Sequence, residues 1–151
     1  MADASDPAER MALILTRGGM QRMTARVLCA VLFADQETIT AGEIAERLVV
    51  SAGAVSGAIK MLEPVGMIER APVPGSRRDH YRFPDDGWQR MMSAQNRVVD
   101  EMLQAAEEGI KQVAEGGPAE RRLADMRDFY GYLMAELPAL IERWQRDRAQ
   151  A

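Results

Sequence analysis

Residues 40–63, TAGEIAERLVVSAGAVSGAIKMLE, decide how this chain folds. Thr40 followed three residues later by Glu43 spells a capping box: the threonine hydroxyl accepts from the N3 amide and the glutamate reaches back to the amide of the cap. The helix so started carries Ile44, Ala45 and Leu48 and stops near Val49-Val50. Ser51 offers a second N-cap, for a helix whose Val55, Ile59 and Leu62 share one apolar face. Two short helices joined by a few residues, the second opening on small side chains, make a helix-turn-helix. Pro64 has no amide hydrogen to give the preceding turn, and Gly66 accepts a left-handed conformation, so the second helix ends there.

Outward from this segment the pattern changes period. Met67-Ile68-Glu69-Arg70-Ala71-Pro72-Val73 alternates as a short strand, and Tyr81-Arg82-Phe83 reads as its return. Between them Pro74-Gly75-Ser76-Arg77-Arg78-Asp79-His80 supplies turn formers and puts two arginines at the tip. A basic-tipped hairpin after a helix-turn-helix is a wing. Upstream, residues 8–17 and 20–34 are two helical runs broken at Gly18-Gly19, the second burying a face through Met23, Val27, Leu28, Val31 and Leu32. Downstream, a helix is expected from Asp86 to about Ala114, with a seam of Trp88, Met92, Gln95, Val99, Met102, Ala106, Ile110 and Val113 in alternating three- and four-residue steps, the pattern of a helix that pairs with a second copy. After Gly116-Gly117-Pro118 a last helix carries a stripe including Leu123, Met126, Tyr130 and Trp144, and Pro138 is expected to kink or restart it.

Composition narrows the function classes. At 151 residues the chain has the size of one domain, and 47% hydrophobic with 28% charged residues exclude a disordered or collagen-like polymer. No apolar run approaches the ~18 residues of a membrane span, and MADASDPAER has neither the basic nor the apolar region of a signal peptide; the expected location is cytoplasmic. One cysteine, Cys29, closes no intrachain disulfide and reads as a core residue beside the buried face of its helix. With one histidine, His80, no metal-ligand set forms. No nucleophile stands beside a base and no glycine loop cradles phosphate, so no catalytic residue and no cofactor is assigned and an enzyme is not expected.

Nineteen basic against 23 acidic residues give a net charge of −4, but residues 70–82 hold Arg70, Arg77, Arg78 and Arg82 against Asp79 alone. That segment is built to meet an anion, and double-stranded DNA fits it. The second helix (51–63) would enter the major groove with Ser51, Ala52, Gly53, Ser56, Gly57 and Lys60 on its open side. Ser51 and Ser56 are expected on bases or phosphates and Lys60 on a phosphate, with much of the specificity read through DNA shape. Arg77 and Arg78 suit the minor groove, Arg70 and Arg82 the phosphates lower on the wing, and Asp79 a salt bridge that holds the wing tip. The alternative is a winged helix that docks another protein and binds DNA weakly.

Thr40 to Phe83, with T-A-G-E-I-A-E-R-L, S-A-G-A-V-S-G-A-I-K-M-L, V-G-M-I-E-R and P-G-S-R-R-D-H-Y-R-F, resembles the winged helix of MarR-type transcriptional regulators. Ser51, Gly53, Ser56, Ala58 and Lys60, with Arg77 and Arg78, look most like its GbsR-like branch. The resemblance implies a mostly α fold with a small β-hairpin wing: a single domain over 1–151, with an N-terminal dimerisation arm (1–19), a winged helix-turn-helix core (20–85) and C-terminal dimerisation helices (86–151). It also implies a homodimer on a pseudo-palindromic operator, acting as a ligand-responsive repressor, and a small-molecule effector pocket. Trp88, Met91, Met92, Phe129 and Tyr130 are its expected walls, or else packing residues.

Overall fold

The computed structural model describes residues 6–150; the first five residues of the N-terminal arm lie outside the described residues. The order is α1 (Pro7–Arg17), α2 (Arg22–Leu32), β1 (Ile39–Thr40), α3 (Ala41–Leu48), α4 (Ala52–Leu62), β2 (Glu69–Arg70), β3 (His80–Arg82), α5 (Gly87–Ile110) and α6 (Pro118–Ala149). The chain divides into two compact units, one ending at Met91 and one beginning at Met92.

In the first unit α2 is the central post. The Gln21 side chain caps it, accepting from the Thr24 amide at 2.8 Å, and residues 24–25 and 27–31 are all buried. Val27, Leu28 and Val31 face Ile44 of α3, Val55, Ile59 and Leu62 of α4, and Ile68 and Tyr81 beyond them. Its other side carries Ala25 and Cys29, which pack on Ala8 and Ala12 of α1; small side chains let those two helices approach closely. Two guanidiniums fasten the layers at helix C-termini, where carbonyls lack intrahelical partners. Arg47 of α3 donates to the Phe33 carbonyl at 3.2 Å. Arg26 of α2 donates to the Leu48 carbonyl at 3.3 Å while pairing with Glu9 of α1 at 2.8 Å.

The capping box forms as expected. Thr40 Oγ1 accepts from the Glu43 amide at 3.2 Å, and Glu43 Oε2 accepts from the Thr40 amide at 2.8 Å and from its hydroxyl at 2.7 Å. These bonds, first the backbone one, hold the Glu43 carboxyl below the usual glutamate range. α3 ends on Val49 in the left-handed conformation at φ 54°, a strained position for a β-branched residue, with its side chain 89% exposed. α4 starts on the Ser51 cap, whose hydroxyl accepts from the Ala54 amide at 3.2 Å. Its stop uses Gly66 at φ 72°, where a Cβ would lie 2.6 Å from Cδ of Arg90.

The sheet differs from the expected two-stranded hairpin. Its strands are shorter, and β1 adds a third, in the order β1-β3-β2. Ile39 faces Tyr81 and Thr40 faces His80 on one edge of β3; Glu69 faces Arg82 and Arg70 faces Tyr81 on the other, all antiparallel. Two residues cannot display alternation, so β1 leaves no periodic trace in the sequence.

The second unit consists of the remainder of α5 and of α6, joined through Gly116 at φ 69° and Pro118 in the first turn of α6. Leu123 closes on Gly109, 3.2 Å from where a Cβ would stand. α6 runs through Pro138 as one helix, so of the expected kink or restart the restart does not occur. Proline removes one hydrogen bond from the ladder, and here the turns on either side carry the helix across the gap. Within the single chain, Ala106 is the one buried hydrophobic residue among the described residues of this unit, whereas Val98, Phe129, Tyr132, Leu140 and Trp144 are exposed.

Thr40→Ala should lower unfolding free energy by about 1 kcal/mol in urea titrations at neutral pH. Because the Glu43 carboxyl is depressed in the folded state, its contribution is complete above the usual glutamate range and fades as pH falls through the folded value. The gap between the variant and the parent chain should therefore narrow in acid. Val49→Gly should stabilise by up to about 1 kcal/mol in the same assay, since glycine relieves the left-handed strain at some entropic cost.

Candidate nucleic-acid interface

α4 buries Val55, Ala58, Ile59 and Leu62, and the 3.6-residue period therefore turns Ser51, Ala52, Gly53, Ser56, Gly57 and Lys60 outward; all six are exposed. Met61, 63% exposed, joins them and escaped the sequence reading. The Ser51 hydroxyl is occupied as the helix cap, whereas Ser56 stands a turn further along the open face. With one lysine and no arginine, this surface permits close approach of a backbone or groove edge more than bidentate base reading.

The wing's four arginines fall into two pairs. Arg70 donates through Nε to Glu63 at 3.1 Å and its Nη1 lies 3.4 Å from Asp79, with its guanidinium 6.0 Å from the Tyr81 ring centre. It thereby straps the end of α4 to the wing, and these partners hold its pKa above the usual arginine value, Glu63 most strongly. Arg82 pairs with Glu69 at 2.7 Å, and Arg90 closes on the same carboxylate at 3.7 Å and on Asp86 at 2.9 Å. Arg70 and Arg82 are thus compensated within the chain. Asp79 does form the expected salt bridge, but with Arg70 across the hairpin, not with the arginines beside it in sequence. Arg77 and Arg78 are exposed at the tip, and among the described residues their guanidiniums have no ion-pair or hydrogen-bond partner; the same holds for the Lys60 ammonium. Three cations remain uncommitted on the face formed by α4 and the wing.

The residues expected to wall an effector pocket have local roles. In the first unit Trp88 packs on Phe83 with ring centres 4.9 Å apart, and Met91 packs against the core. In the second, Phe129 and Tyr130 meet edge to face at 5.2 Å, and Met92 is exposed. A groove with no periodic or motif signal lies between the start of α2 and α4, about 430 Å³ in volume, lined by Gln21, Met23, Thr24, Gly53, Gly57 and Met61 among others. Cys29 is buried, and desolvation, with a smaller push from Glu9, raises its thiol to about 11; a thiol so protonated at neutral pH is a poor nucleophile. Among the described residues no three or more His, Cys, Asp and Glu side chains converge on a metal position, and no helix is long and apolar enough to cross a membrane.

Residues 18–79 match the family model described as MarR family, and residues 86–147 match that described as MmpR5-like MarR family transcriptional regulator. The HTH-type transcriptional regulator MmpR5 of Mycobacterium tuberculosis is 29% identical over 132 residues, covering 87% of this chain and 80% of the relative. A crystal structure of a transcriptional regulator superposes with a TM-score of 0.77 at 27% identity, over 92% of this chain and 95% of that one. The archaeal chromatin protein TrmBL2 shares the fold, with a TM-score of 0.55 at 18% identity over 74% of this chain and 44% of its own.

If Arg70 is a strap, Arg70→Ala should leave the urea midpoint nearly unchanged, as exposed pairs contribute little, yet speed amide hydrogen exchange across residues 75–79. Unaltered exchange there would show that the tip does not depend on it.

Proposed function

We propose, from the premise that this chain belongs to the MarR family of winged helix-turn-helix, DNA-binding transcriptional regulators and is no enzyme, that it acts in the cytoplasm as a homodimeric, ligand-responsive repressor. In this reading two copies of α4 enter successive major-groove faces of a pseudo-palindromic operator, and Arg77 and Arg78 of each wing follow the flanking minor groove. One observation carries it: among the described residues Lys60 of α4 and Arg77 and Arg78 of the wing are uncommitted, whereas the other wing arginines, Arg70 and Arg82, are neutralised internally. An acidic chain binds DNA when its unpaired positive charge is concentrated where phosphates arrive, whatever its total.

Support for the homodimer comes from the exposed Val98, Phe129, Leu140 and Trp144 of α5 and α6, an apolar surface that one copy leaves in water. The GbsR-like character rests on the residues of α4 and the wing alone, whereas residues 86–147 match the MmpR5-like description. The effector comes from the family resemblance, and it can regulate only by binding with different affinity to two spacings of the reading heads.

Light scattering should give the mass of two chains at micromolar concentration. With about six to eight phosphates engaged per dimer, log affinity for genomic operator fragments should fall against log salt with a slope of roughly −5 to −7. Arg77→Ala with Arg78→Ala should flatten that slope and weaken binding to every sequence alike, whereas Ser56→Ala should change the order of preferred sequences. A slope near zero would leave the protein-docking alternative standing.

A further inference from the structure

His80, the single histidine of the chain, has a task that neither the wing's charge nor the helix-turn-helix accounts for. Its Nδ1 is 3.1 Å from Oγ1 of Thr38, and its Nε2 is 2.8 Å from Oγ of Ser76. The same serine oxygen accepts from the Arg78 amide at 3.2 Å. A connected path thus leads from the residue preceding β1, through the imidazole, to the backbone of the tip.

We propose that His80 is a positioning residue for DNA binding: it tethers the wing tip to the β1 edge, so that Arg77 and Arg78 are presented in one arrangement. The inference rests on the reading of the wing given above.

Chemistry and placement both favour this role. An imidazole bonds at two ends in nearly opposite directions, and both of its partners are hydroxyls able to donate or accept, so either tautomer completes the link. Thr40 sits directly across the ladder from His80, and Thr40 also opens α3. The histidine is therefore anchored where backbone bonds and a capping box already fix the chain. Beyond it, the tip has the Ser76 amide on the Val73 carbonyl at 3.1 Å and Gly75 at φ 82°. On the opposite flank stands the Arg70–Asp79 pair, with both side chains about 60% exposed. In the His80 tether, Thr38 and His80 are half-buried and Ser76 is exposed. Holding two long arginine side chains on an ordered loop removes part of the ordering cost at the moment of binding.

The experiment is a double-mutant cycle on a mixed-sequence 30-base-pair duplex at low salt, where wing contacts to the backbone count and no operator is needed. His80→Ala should weaken binding about five-fold, the order of one unordered long side chain, and should have no further effect in the Arg77→Ala, Arg78→Ala background. Ser76→Ala removes the same link from an exposed turn position and should behave alike, which covers the case in which His80→Ala does not fold. Without DNA, hydrogen exchange at the Arg78 amide should speed several-fold in both variants. Equal losses in the two backgrounds, or an unchanged Arg78 amide, would overturn the tether. Full affinity in the double arginine variant would instead remove the wing contact itself, while the exchange measurement still judges the tether.

Discussion

Three residues, His80-Tyr81-Arg82, hold the reading surface together, because β3 is bonded along both edges. On one side it fixes Thr40, the residue that starts α3; on the other it fixes Glu69 and Arg70, which follow α4 after the turn through Gly66. Tyr81, central and buried, carries the same strand into the core shared by α2, α3 and α4. A strand this short contributes few backbone bonds, so its stability derives from the burial of Tyr81 and its neighbours Ile39 and Ile68. In return it sets the angle between the helix-turn-helix and the wing.

Electrostatics within that frame is selective. Glu63, Glu69 and Asp79 neutralise Arg70 and Arg82, which act as struts, while Arg77, Arg78 and Lys60 keep their charge for solvent or an incoming polyanion. Exposed pairs of this kind add little to stability, yet they decide where positive potential is left over. A net charge of −4 is compatible with DNA binding for that reason.

The two units meet water differently. In the first, α2 is wrapped by helices and sheet, and its apolar face is consumed. In the second, two long helices leave aromatic and aliphatic side chains exposed and bury almost nothing among the described residues. Apolar surface of this kind is what the second copy of the proposed homodimer would cover.

The sequence by itself determined the helix-turn-helix, its caps and stops, the open face of α4 and the arginine-tipped hairpin. Each of these depends on residues within a turn or two of one another: Thr40 with Glu43, Ser51 with Ala54, Val55 with Ile59 and Leu62. Tertiary structure alone decided that Ile39-Thr40 is a strand, that Arg70 is bound by Glu63 and Asp79, and that His80 links Thr38 to Ser76. Pairing between separated segments decided all three. A two-residue strand has no period, and which carboxylate neutralises an arginine, or which hydroxyls flank an imidazole, depends on where distant backbone has been brought.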